Sequence, residues 1–128
     1  MTHNKKLLID LCGRLPYGVK ISIPDLWTQN REIEKFDEIF YGDDGLCRVN
    51  SKGQCIEHIK PYLFPISSMT EEQKNEYYNI CETTITEWGN EIHYDCIESI
   101  DWLNKNHFDY RGLIPMGLAL DATNLNIY

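Results

Sequence analysis

No stretch of this chain carries the roughly 20 consecutive apolar residues that a membrane-spanning helix needs. Leu7, Leu8 and Ile9 follow Lys5 and Lys6, but Asp10 interrupts them before a signal-peptide core can form, and no small-residue cleavage site follows. Cys12 lacks the small preceding residues of a lipidated cysteine, so a core cysteine on a helix is the expected reading. No Cys-x-x-Cys occurs, and the five cysteines (Cys12, Cys47, Cys55, Cys81 and Cys96) are odd in number and irregularly spaced. That pattern suits free thiols in a reducing compartment rather than a disulfide framework. A cytoplasmic protein without membrane contact is expected.

The motifs of the commoner chemistries are missing as well. There is no Gly-x-Ser-x-Gly, no glycine-rich phosphate loop and no His-Glu-x-x-His. His93 and Cys96 form His-x-x-Cys, yet no second pair stands at zinc-site spacing, so neither a metal nor a cofactor is expected. Cys55 and His58, three residues apart on a strand, would face opposite sides and could not form a dyad. The acidic pairs Asp37 and Glu38, Asp43 and Asp44, and Glu71 and Glu72 fall in turns or helix starts, where solvated charge is the ordinary explanation.

Positive charge is scarce. Twelve Lys and Arg stand against twenty Asp and Glu, a net charge of −8. Nine of the acids lie between Glu71 and Asp101 beside Lys74 alone, and the remaining eleven balance eleven bases. A field of that sign repels phosphate backbones, so a protein is the expected partner and direct nucleic-acid binding is not.

What remains is an ordinary globular composition, 42% hydrophobic and 25% charged, which excludes extensive disorder. The 128 residues suit one domain. Its first part, residues 1–66, reads as a helix plus antiparallel strands, and its second, residues 67–128, as a mainly helical acidic part. Leu7, Leu8, Leu11, Cys12 and Leu15 have helical spacing, with Asn4 as N-cap and Pro16 as the stop. Residues 19–23 alternate as a half-buried strand. Residues 25–35, anchored by Trp27 and Ile33, fit a loop or an irregular edge strand as well as they fit a helical turn. Three apolar runs, residues 39–41, 46–49 and 54–59, are separated by Gly- and Asn-containing turns and read as hairpins, making a four-stranded meander with the strand at residue 19. Residues 60–68, with two prolines, read as an extended connector leaving the sheet. Thr70 and Gln73 fit a capping box that opens a second helix, with Tyr77, Cys81, Ile85 and Trp88 on its face. Asp95 caps a third helix, whose expected buried stripe is Cys96, Ile97, Ile100 and Leu103. Leu113, Ile114 and residues 118–120 are expected to fold back onto the core. The fold class is therefore α+β: an N-terminal helix, a small antiparallel meander or SH3-like half-barrel, and a C-terminal helical portion packed on it. Trp88, Trp102, Tyr62 and Phe64 are placed at the seam.

One cluster concentrates polar and aromatic groups. His107, Asp109, Tyr110 and Arg111 follow the third helix, and an arginine beside an aspartate and a tyrosine could hold an anionic ligand bidentately, with His107 as proton donor. The competing reading is structural, with Asp109 and Arg111 bonded to each other or to the open helix end while Phe108 and Tyr110 anchor the turn.

The segments IEHIKPYLFPISSMTEE (residues 56–72), DWLNKNHFDYRGLI (residues 101–114) and GLAL (residues 117–120), with LPYGV at residues 15–19, resemble a family of small uncharacterised proteins encoded by gut-bacterial genomes and their phages or mobile elements. The resemblance implies a bacterial or phage cytoplasmic setting and transfers no functional residue. The function expected first is a non-enzymatic interaction or accessory protein. The alternatives are an acidic decoy or inhibitor of a nucleic-acid-handling protein, and a small enzyme or ligand-binding protein using residues 107–111.

Overall fold

The computed structural model describes residues 3–25, 28, 30–82 and 96–128. Helix α1 spans His3–Arg14. It begins a residue before Asn4, which therefore lies inside the first turn rather than capping it. Pro16 ends the helix as expected, and the chain tightens into a 3-10 turn, Leu15–Tyr17, closed by Gly18 at φ +67. The buried face of α1 is Leu7, Asp10, Leu11 and Arg14. Cys12 is exposed, which corrects its reading as a core residue. The stripe is rotated because Asp10 and Arg14, four residues apart, neutralise each other and can go inward together.

Strand β1 (Lys20–Pro24) pairs antiparallel with β2 (Arg31–Lys35) and with β6 (Lys60–Pro65). Both faces of β1 are covered, not one, and Ser22 is fully buried with its hydroxyl accepting from Arg31 Nε at 2.5 Å. Residues 31–35 take the edge-strand option, although Ile33 is half exposed rather than an anchor. Trp27 lies outside the described residues.

The connector expected over residues 60–68 is instead the central strand. β6 pairs with β1, and in parallel with β7 (Phe108–Asp109) and β8 (Leu120–Asp121), before a 3-10 turn at Ile66–Ser68. Its prolines are tolerated because neither is needed as a ladder donor. Pro61 precedes the first β8 pair, Tyr62 with Leu120, and Pro65 ends the strand. The C-terminal portion is thus not purely helical, since it returns two strands to this sheet.

The hairpins form a separate three-stranded sheet of β3 (Ile39–Tyr41), β4 (Cys47–Val49) and β5 (Gln54–Cys55). β1 is not part of it, which corrects the four-stranded meander. Asn50 joins the two sheets. Buried and at φ +55, it accepts from the Asp37 amide and donates through Nδ2 to the Lys35 carbonyl at 2.7 Å and to Glu34 Oε1 at 2.8 Å.

Helix α2 (Glu71–Glu82) opens with the expected capping box, the Thr70 amide donating to Gln73 Oε1 and the Gln73 amide to Thr70 Oγ1. Ile85, Trp88 and Asp95 lie outside the described residues. Helix α3 (Cys96–Lys105) buries Ser99, Trp102 and Leu103, while Ile97 is 75% and Ile100 42% exposed. The stripe differs from the expected one because residues 97 and 100 compete with 99, 102 and 103 for the inward face, and Trp102 removes the most apolar surface from water. It stacks on Phe108 and meets Tyr77 of α2, with Phe64 packed alongside. A larger core gathers Leu7, Leu11, Val19, Ile21, Phe36, Val49, Ile56 and Leu63 between α1 and the sheets, closed by Leu113 and Ala119 as the sequence implies.

Candidate functional site

The structure brings His107, Asp109, Tyr110 and Arg111 to one corner beside α1 and directs most of their polar groups inward. Both Asp109 oxygens accept backbone amides, from Leu113 and Ile114, each at 2.9 Å. The Tyr110 hydroxyl donates to Asn104 Oδ1. Arg111, 37% exposed, stands over the Tyr110 ring with its Nε 3.5 Å from Asp10 Oδ1. His107, at φ +63, stacks on Tyr128, and its Nδ1 is buried without a partner among the described residues. Burial, with Arg14 and Lys20 nearby, pushes its pKa down to about 4, so at neutral pH it holds no proton to donate as an imidazolium.

Arg14 is the member of this corner that the sequence reading missed. Fully buried, it donates from Nε to Asp10 Oδ2 at 2.7 Å and from Nη2 to the Phe108 carbonyl at 2.6 Å, with Tyr110 over its guanidinium. The Asp10-to-Arg14 spacing on a leucine-rich helix was the available signal.

A second feature lies at the other end of α1. The sheet β3–β4–β5 sends Ile39 and Val49 into the core beneath the helix, and two residues further along the hairpin Tyr41 and Cys47 occupy the same face. There the helix and the hairpin part, and the core opens into a groove of about 420 Å³. Leu8, Leu46, Cys47, Cys55 and Ile56 make it apolar, and Lys5, Tyr41 and Glu57 stand around it. Leu46 is 50% and Tyr41 72% exposed, an apolar lip that packing within the chain does not require. Burial pushes the Cys47 thiol up, so it stays protonated, the reverse of what a nucleophile needs. Among the described residues no group of histidine, cysteine and carboxylate side chains could hold a metal ion, and no helix is long and apolar enough to cross a membrane.

The sequence reading found the hairpin but not the groove, because the groove is lined by residues of α1 and of the hairpin that lie far apart in the chain. Comparison with known proteins gave no match to a family model, a curated protein or a solved structure.

Proposed function

We propose that this is a non-enzymatic interaction protein that receives an apolar side chain of a partner protein in the groove between α1 and the β3–β4 hairpin. The observation that carries the reading is the open end of the core, where Leu8, Leu46 and Ile56 line a cleft within the size range of ligand and anchor pockets. Protein partners anchor through a few buried aliphatic or aromatic side chains, and a cleft of this kind is what such an anchor fills. The inward-directed polar groups at residues 107–111 leave that corner less suited to a ligand, since Asp109 and Tyr110 already have partners. The charge of −8 favours a basic partner, a nucleic-acid-handling protein among them, through faster encounter. A cytoplasmic bacterial or phage setting, which the resemblance read in residues 56–72 and 101–114 implies, belongs to the same reading.

Selection of displayed linear peptides tests the reading. Peptides enriched on the wild-type protein should lose at least tenfold in affinity for Leu46→Glu, a substitution at a half-exposed position that should keep the wild-type circular dichroism. Enriched peptides that bind the variant equally well would overturn it.

A further inference from the structure

Among the described residues β2 and β3 each end a sheet, and their open edges are built differently. β2 is an outer strand of the larger sheet, and Arg31, Glu32, Glu34 and Lys35 blunt it with charge, as proteins do where pairing with another chain must be avoided. β3 is an outer strand of the smaller sheet, across β4 from the two-residue β5, and reads Ile39, Phe40, Tyr41, with neither charge nor proline. Its ladder to β4 uses alternate residues. The Asn50 amide donates to the Glu38 carbonyl at 3.0 Å and the Gly42 amide to the Leu46 carbonyl at 2.9 Å, so residues 38, 40 and 42 face β4. The amides and carbonyls of Ile39 and Tyr41 therefore face the other way, and among the described residues no strand lies there. Tyr41 also lines the groove.

Acidic pairs bracket this edge. Asp37 and Glu38 precede β3, Asp43 and Asp44 follow it, and all four are exposed. Arg48 hydrogen-bonds Asp44 and holds its carboxyl below the usual range, so it stays ionised in mildly acidic solution. Pairing at a strand edge takes main-chain hydrogen bonds from the partner and puts its alternate side chains on each face.

We infer that the partner docks as an extended segment added to the open edge of β3, an apolar side chain dropping into the adjoining groove and a Lys or Arg at each end meeting the flanking acidic pairs. This rests on the groove reading above and goes beyond it by fixing the backbone conformation and charge of the partner. A helical ligand in the groove would use neither the edge nor both acidic pairs.

The test uses the full chain and three fluorescent peptides followed by polarisation at low salt: Lys-Leu-Ser-Leu-Lys, the same peptide with alternate amides N-methylated, and Glu-Leu-Ser-Leu-Glu. The lysine peptide should bind at least tenfold more tightly than either control. Tyr41→Pro, which removes one outward amide that the β4 ladder does not use, should lose at least tenfold relative to Tyr41→Ala, which removes the same side chain but keeps the amide. Both variants should keep the wild-type circular dichroism. Binding that is lost in Leu46→Glu but indifferent to N-methylation and to Tyr41→Pro would overturn strand addition and leave the groove reading standing. Equal or tighter binding of the glutamate peptide would overturn the charge assignment, and no binding of any peptide would overturn both readings.

Discussion

The imidazole of His107 and the phenol of Tyr128 lie stacked, their centres 3.9 Å apart and their planes 16° from parallel. Burial favours the neutral imidazole, and Arg14 and Lys20 oppose a further positive charge. The unfolded chain takes up this proton near pH 6.5, the folded chain only near 4. Between those values the unfolded state binds more protons, so the histidine's contribution to stability is fully present above 6.5 and is lost as pH falls toward 4. Urea midpoints measured from pH 7 to 4 should therefore fall more steeply for the wild type than for His107→Asn, a residue that tolerates φ +63. Parallel profiles would show that the histidine is not held neutral.

Tyr128 also completes a rung of the larger sheet. The pairs Ser22 with Lys60 and Ile21 with Pro61 continue in register to Lys20 and Tyr62. There the Tyr128 hydroxyl accepts from the Lys20 amide at 2.8 Å and donates to the Tyr62 carbonyl at 2.7 Å. As a residue Tyr128 is 43% exposed, but the hydroxyl is its inward end, and burial pushes its pKa up to about 12. Tyr128→Phe leaves both backbone groups unbridged and should cost about 1–3 kcal/mol. Faster hydrogen exchange at the Lys20 amide would accompany the loss. The wild type should also lose stability as pH rises from 10 toward 12, because the unfolded phenol ionises first.

Asp10 and Arg14 form an ion pair with no exposed side-chain surface. Asp10→Ala leaves the guanidinium buried with only the Phe108 carbonyl and the face of the Tyr110 ring to offset its charge, and should destabilise the fold by about 3–5 kcal/mol. Asp10→Leu combined with Arg14→Met removes both charges and should be more stable than Asp10→Ala alone in thermal unfolding. It should remain below the wild type, because the Phe108 carbonyl loses its donor. A double variant less stable than the single one would show that the pair does not act as a unit.

Asn50 tethers the β3 sheet to β2 through its side-chain amide. Asn50→Gly keeps the positive φ but strands the Asp37 amide and the Lys35 carbonyl, and a loss of about 2–3 kcal/mol in denaturant unfolding is expected. A change below ~0.5 kcal/mol would place the sheet-to-sheet connection elsewhere.

Local signals in the sequence were read correctly where local chemistry decides the outcome. The Thr70–Gln73 box, the Pro16 stop and the turns at residues 42–45 and 50–53 depend on neighbours a few residues apart. Readings failed where distant residues decide. Pro61 and Pro65 argued for a connector, yet β6 is central because its partners come from residues 20–24, 108–109 and 120–121 and none needs a proline amide. Ile97 and Ile100 had the right period for burial, and only the packing of Trp102 on Phe108 shows which of two overlapping stripes turns inward. The groove was least legible of all, since Leu8, Leu46 and Ile56 look like core residues in the sequence and only the fold brings them together around one space.

Chemical-shift mapping of the 15N-labelled protein with the Lys-Leu-Ser-Leu-Lys peptide tests the central claim most directly. The account predicts that the largest perturbations fall on Leu8, Tyr41, Leu46, Cys47 and Ile56, with residues 107–111 unmoved. Perturbations centred on His107, Asp109, Tyr110 and Arg111, with the groove unchanged, would contradict it.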